Sequence, residues 1–303
     1  MTAMVSVREL RKNYGSFTAL DGVSFDIEQG ETFALLGPNG AGKSTTIEIL
    51  EGYRDRTSGD ASVLGVDPGK GGVDWKARLG IVLQSTGESG NATVREQLTH
   101  FAGFYSNARD VDEVIAAVGL EEKQKTFIRK LSGGQRRRVD VALGIIGRPE
   151  LLFLDEPTVG VDVVTKARLR DFLRELNREQ GTTILLTTHD MHDIEALCSR
   201  VVVIDHGRIM HDGDLLSLKA RYGARKRLVF TLTAAADLAT ADLPRGAVEW
   251  HQPSPLQAVA SVAEGADTAQ ILQRALAALP VANVQIEEPT IDQVVKELYE
   301  RKA

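Results

Sequence analysis

Thr32-Phe-Ala-Leu-Leu-Gly-Pro-Asn-Gly-Ala-Gly-Lys-Ser44 is a short apolar run that breaks into glycines and ends on a lysine and a hydroxyl. From Gly37 to Ser44 it fits G-x-x-x-x-G-K-[ST], and the predicted strand before it and helix from about Lys43 are the setting a phosphate-binding loop requires. Glycines let backbone N–H groups close around phosphate oxygens, and the helix N-terminus adds a favourable dipole. In such loops the lysine, here Lys43, reaches the β and γ phosphates, and the hydroxyl of Ser44 ligates magnesium. The plain alternative, a glycine-rich turn, does not account for the full pattern in that setting.

Around this loop, from Val5 to about Leu218, short apolar strands alternate with helical stretches, which predicts an α/β domain with a largely parallel sheet. Leu151–Leu154, Thr183–Leu186 and Val201–Ile204 are continuous apolar or β-branched runs, as expected of buried strands. Val5–Leu10 and Val23–Ile27 alternate instead, which predicts half-exposed antiparallel strands with a turn at Asp21-Gly22. Between residues 91 and 148 the spacing becomes helical. Val94, Leu98, Phe101, Ala102 and Tyr105 share one face, Val111–Val118 reads as a second helix stopped by Gly119, and Val139, Ala142, Leu143 and Ile146 mark the buried face of a third.

A basic stretch near Lys219–Arg227 marks the expected boundary, giving a cassette over 1–218 and a small α+β domain over 219–303. In the latter, strands are expected at Leu228–Leu232, Val248–Trp250, Val259–Val262 and Val281–Ile286, with a helix over Thr268–Leu279. A last helix carries Ile291, Val294, Val295, Leu298 and Tyr299 behind a capping box of Thr290 and Gln293.

Composition narrows the function classes. Of 303 residues, 43% are hydrophobic and 26% charged, within globular usage. The longest stretch without Asp, Glu, Lys or Arg, from Trp250 to Ala263, holds Pro253 and Pro255, whereas a spanning helix needs roughly 20 mostly apolar residues. Neither a membrane span nor a secretion signal is expected. Cys198 is the sole cysteine, which excludes an intrachain disulfide. A formal charge of -6 argues against general nucleic-acid binding. The clusters Arg136–Arg138 and Arg225–Arg227 read as solvated surface, with anionic lipid headgroups a second possibility for the latter.

Leu131-Ser-Gly-Gly-Gln135 opens the third helix of the insert and puts a second anion-friendly helix end in the chain. Together with the phosphate loop, this pentapeptide resembles the signature of ATP-binding-cassette (ABC) ATPases, a resemblance that runs from about Val5 to Leu218. It implies a P-loop NTPase fold and a cycle in which two copies, as homodimer or pseudo-homodimer, enclose two ATP. Each ATP would lie on Tyr14, Gly37, Pro38, Asn39, Gly40, Ala41, Gly42, Lys43, Ser44 and Thr45 of one subunit and face Ser132, Gly133, Gly134 and Gln135 of the other. The remaining roles are likewise implied by the resemblance. Ser44, Gln84 and Asp155 would hold Mg2+, and Glu156, at the end of Leu151-Leu-Phe-Leu-Asp-Glu156, would polarise the attacking water. His189 would bond the γ-phosphate, Asp162 would belong to the D-loop, and Tyr14 would stack on adenine. Taken alone, an acidic strand end, a histidine after a strand or a lone tyrosine is an ordinary structural feature.

The family works on a membrane permease, so a cytoplasmic-face location and a permease partner, but no nucleic acid, are implied. The segment Gln84–Val94 is the natural docking surface, with Phe104 beside it, while Phe101 and Tyr105 fit packing within the insert better. Glu288-Pro289-Thr290-Ile291-Asp292, followed by Val294 and Leu298, resembles the C-terminal end of daunorubicin-resistance-type exporter ATPases, which implies export. An importer ATPase and a soluble ABC ATPase of translation or DNA repair are the rivals. A single uninterrupted cassette speaks against the soluble one.

Overall fold

The computed structural model describes residues 3–83, 91–188, 190–222, 226–246, 248–263, 265–287 and 294. The chain divides into two units, Met1–Leu215 and Leu216–Ala303.

The first unit opens with β1 (Ala3–Tyr14) and β2 (Phe17–Glu28), paired antiparallel. The expected turn at Asp21-Gly22 is not there: both residues lie inside β2, and the chain turns at Gly15. Gly22, at φ +82°, instead opens a bulge where the register slips between Leu10↔Val23 and Arg11↔Asp21. A glycine with positive φ serves either device, and the sequence cue is the same for both.

β3 (Thr32–Leu36) is buried at every position. The phosphate loop follows it, then α1 (Lys43–Leu50) and β4 (Ser58–Val63), which returns to pair with β1. A short turn of helix, α2 (Val73–Lys76), drives Trp75 into the core, where its indole N–H donates to Val63 O at 2.8 Å. β5 (Leu79–Val82) then enters the main sheet.

Three helices form the insert: α3 (Val94–Ala102), α4 (Val111–Ala117) and α5 (Gly133–Ile145). A capping box of Thr93 and Glu96 starts α3, and Gly119 follows α4 at φ +64°. α3 stops at Ala102, short of the expected stripe. Tyr105 lies beyond it and packs on Gly147, where an added Cβ would sit 2.4 Å from the ring, while Phe104 stays exposed. In α5 the buried surface is wider than one stripe. Leu143 is only half-buried, whereas Val141, Gly144, Ile145 and even Arg137 are buried.

β6 (Leu151–Asp155), α6 (Val163–Gln180), β7 (Thr183–Thr187), α7 (Met191–Leu197), β8 (Arg200–Asp205) and β9 (Arg208–Gly213) complete the unit. The six-stranded sheet runs β5-β6-β7-β3-β8-β9, parallel except for β9 at the edge. Parallel strands covered on both faces need uninterrupted apolar sequence, which is how β3, β7 and β8 read. Cys198, at the end of α7, is buried.

α8 (Leu215–Tyr222) spans the division between the units. The second unit has β10 (Lys226–Leu232), β11 (Val248–Ser254), β12 (Gln257–Val262), α9 (Thr268–Ala278) and β13 (Val281–Glu287). Its sheet is antiparallel, in the order β11-β12-β10-β13. Leu228, Phe230 and Leu232 alternate onto one face and meet Ile271 and Ala275 of α9, whose first turn is capped by Asp267. Arg227 pairs with Glu287 at 3.4 Å; Arg225 lies outside the described residues. Of the last expected helix only Val294 is described, and it is buried.

Candidate nucleotide site

The phosphate loop leaves β3 at Gly37, where a Cβ would sit 2.3 Å from Ile204 O of β8, so no side chain fits. At the far end Gly42 has φ +107°, and a Cβ there would meet Leu20 at 2.6 Å and Ala19 O at 2.8 Å. Between them Ala41 N–H donates to Pro38 O at 3.1 Å, and Gly207 N–H donates to Ala41 O at 3.0 Å, tying the loop to the β8–β9 turn. Ala41 is buried, while Asn39, Gly40 and Ser44 are exposed and Thr45 is half-buried.

Lys43 is the first residue of α1. Its Nζ donates to Gly37 O at 2.6 Å and Pro38 O at 3.1 Å. Burial lowers the pKa of this ammonium, and the carboxylates of Glu156 and Asp155 pull it part of the way back. The loop lysine and the acidic end of β6 therefore share one electrostatic environment, although their motifs stand far apart in the chain.

Asp155 ends β6 half-buried, and its Oδ1 accepts the hydroxyl of Thr187 from β7. Glu156 is 5% exposed and holds φ +53°, a left-handed backbone that costs a non-glycine residue about 1–3 kcal/mol. Its N–H donates to Thr187 O at 2.9 Å, and its carbonyl accepts from Arg137 Nε at 3.1 Å. Ser44 and Asp155 offer hard oxygen donors of the kind magnesium takes beside phosphate and water, so this donor set fits that ion. Among the described residues no group of three or more His, Cys, Asp or Glu could hold a metal on its own.

Beyond β6, Thr158 is buried and its hydroxyl donates to Asp193 Oδ2 at 2.5 Å. Asp193 also accepts from Arg170 at 2.6 Å, and Lys166 bonds Asp190 at 2.7 Å. Asp162 caps α6, with Oδ1 accepting Thr165 N–H at 2.9 Å and Oδ2 its hydroxyl at 2.7 Å. That backbone bond, with the hydroxyl, holds the Asp162 carboxyl below its ordinary range. These polar links fasten α6 to the segment after β7.

At the head of α5, Ser132 and Gln135 form a reciprocal capping box: Gln135 Oε1 accepts Ser132 N–H at 3.0 Å, and Ser132 Oγ accepts Gln135 N–H at 3.3 Å. Gly134 lies against the loop before α6, where a Cβ would be 2.2 Å from Gly160 O; nothing crowds Gly133. Ser132 and Gly133 face outward. Tyr14, at the end of β1, is 40% exposed, with Lys12 Nζ at 5.1 Å and Arg54 Cζ at 5.3 Å from its ring centroid. Gln84 and His189 lie outside the described residues.

The basic cluster Arg136–Arg138 departs from the sequence reading of solvated surface. Arg136 is exposed, Arg138 bonds the carbonyls of Val118 and Gly119, and Arg137 is buried against the end of β6. The missed signal was spacing: Arg137 precedes Val141 by four residues and Gly144 by seven, on the buried stripe.

A glycine-rich loop between a central parallel strand and a helix, with a parallel strand of the same sheet ending in one carboxylate and followed by another, defines a P-loop nucleoside-triphosphatase. The family profile described as ABC transporter matches residues 20–159. The linearmycin resistance ATP-binding protein LnrL of Bacillus subtilis is 36% identical over 76% of this chain and 75% of its own length. A methionine import ATP-binding protein of Geobacillus kaustophilus is 38% identical over 70% of this chain and 66% of its own. A fluoroquinolones export ATP-binding protein of Mycobacterium tuberculosis is 39% identical over 69% and 70%. Among solved structures, a dimeric post-hydrolysis ATP-binding cassette with ADP and Pi superposes with a TM-score of 0.64 at 25% identity, covering 70% of this chain and 99% of that one. The chain belongs to the ABC transporter family as an ATP-binding, ATP-hydrolysing subunit. No helix among the described residues is long and apolar enough to cross a membrane.

Proposed function

We propose that two copies of this subunit close around two ATP and, on the cytoplasmic face of the membrane, drive export through a separately encoded permease. The observation that carries the reading is Lys43 held across the phosphate loop on the carbonyls of Gly37 and Pro38, where its ammonium also feels the charges of Glu156 and Asp155. Phosphoryl transfer to water is mostly positioning and charge neutralisation, and this arrangement supplies both.

In this reading the loop amides and Lys43 cradle the β and γ phosphates, Tyr14 stacks on the base, and Glu156 orients the attacking water with His189. Bound magnesium, held by Ser44, Asp155 and Gln84, would neutralise charge on the phosphate oxygens. Ser132, Gly133, Gly134 and Gln135 would face the γ-phosphate of the partner copy, and Asp162 would line the junction. The exposed position of Ser132 and Gly133 supports that contact. Binding that differs between open and closed dimers can shift the permease between states. Similarity to the resistance and fluoroquinolones export proteins supports export; similarity to the methionine import protein supports import as a second reading.

Glu156→Gln is expected to bind ATP yet not turn it over, and to sediment as a dimer with ATP and magnesium. A monomer at saturating nucleotide would count against the shared site. Co-expression with the neighbouring membrane-protein gene should yield a complex that lowers cell accumulation of an antibiotic, an effect lost with Glu156→Gln. Uptake driven by the same complex would replace export with import.

A further inference from the structure

Arg137 lies one turn into α5 and is 6% exposed, although it carries a charge. Its contact with the Asp140 carboxylate is long, 3.9 Å from Nη1 to Oδ2. The guanidinium instead donates to three main-chain carbonyls: Leu83 O just after β5, Asp155 O at the end of β6, and Glu156 O at 3.1 Å. Apolar residues such as Val141 and Ile145 serve the same helix face against the sheet at no desolvation cost. A buried cation at this position is a costly alternative that needs another reason.

Glu156 supplies it. Its left-handed backbone persists only if its neighbours fix it, and both sides of the residue are pinned, the N–H by Thr187 O and the carbonyl by Arg137. Two anchors set where its side chain starts. The same guanidinium holds the carbonyl of Leu83, the residue that leads into Gln84.

We infer that Arg137 is a positioning residue, which aims Glu156 for hydrolysis and couples α5, the helix that Ser132 caps, directly to it. The inference rests on the assignment of Glu156 to the attacking water. A shift of α5 on engaging nucleotide would reach Glu156 through one rigid fork of hydrogen bonds, with no loop between. A guanidinium suits this task because its donors are planar and fixed, which an ammonium cannot reproduce.

The test is steady-state hydrolysis of magnesium-ATP by the full chain, with Arg137→Gln, Arg137→Lys and Glu156→Gln side by side. Misplacement of a reacting group by about 1 Å costs on the order of a hundredfold. Arg137→Gln is therefore expected to lose more than threefold in kcat while KM for ATP and the number of nucleotide sites hold, with Arg137→Lys in between. A merely structural role predicts that kcat per nucleotide-binding molecule is unchanged. A kcat for Arg137→Gln within threefold of wild type, or a loss matched by lost nucleotide sites, overturns the inference. If the glutamine variant does not fold, the lysine variant decides on the same threefold limit. Wild-type hydrolysis by Glu156→Gln would sink the assignment of Glu156 itself; an inactive Glu156→Gln beside a normal Arg137→Gln sinks only the coupling.

Discussion

Glu51, a residue only 3% exposed, caps the end of α1, and its Oε2 has no hydrogen-bond partner among the described residues. Burial, with the nearby charges of Asp155 and Glu48, pushes its pKa up from 4.5 to about 8. The folded chain thus holds a proton that the unfolded chain releases above about pH 4.5, so the stability this group contributes is full below that pH and drains away as pH rises towards 8. Glu51→Gln removes the titration. It is expected to raise the melting temperature at pH 8, by an effect on the order of a few kcal/mol, and to leave it nearly unchanged at pH 4. Equal pH profiles for the two proteins would rule this out. Lys43 and Arg137 show what single residues reveal beforehand. A lysine between Gly42 and Ser44 has its task written into the local pattern, because a phosphate loop is one contiguous stretch. Arg137 stands among arginines of ordinary surface appearance, and its partners Leu83, Asp155 and Glu156 lie at the ends of β5 and β6, far from it in sequence, so only folding brings its purpose into view.

Among the elements, α5 allows helix capping to be separated from phosphate recognition. Ser132→Ala removes the cap and should cost about 1 kcal/mol in denaturant unfolding. Ser132→Asp keeps a good capping group but sets a negative charge where the partner's γ-phosphate is proposed to lie. It should therefore fold as stably as wild type and yet lose ATP-driven dimerisation and turnover; a normal rate would remove Ser132 from the shared site. The strands and helices were largely legible because apolar runs and helical stripes report burial directly. β3, β7 and β8 are continuous apolar or β-branched runs that the sheet buries on both faces. Where the reading slipped, two structures shared one cue. Gly22 marks a bulge and Gly15 the turn, and only the pairing of β1 with β2 separates them. The stripe of α3 ran past Ala102 to Tyr105 because a residue packing just after a helix can keep the helix's spacing.

At the scale of the whole molecule, each unit has its own apolar core, one around Phe33, Leu35 and Phe153 and the other around Phe230 and Ile271. Ending the chain after Tyr222 should therefore leave ATP affinity within about fivefold of the full chain, a difference of under about 1 kcal/mol. A truncated chain that folds but no longer binds ATP, measured by titration calorimetry, would show that the tail serves the nucleotide site. The phosphate loop and the strand end at Asp155 were identifiable because each is local; the bonds from α6 to Asp190 and Asp193, formed between distant segments, were not. The burial of Cys198 has a practical side. Its thiol is pushed well above the ordinary range, chiefly by desolvation, so it ionises too little to attack a maleimide, and it is the chain's only cysteine. A fluorophore or spin label offered to a variant with one cysteine at Phe104 would settle on that position alone, and the native chain is its own unlabelled control.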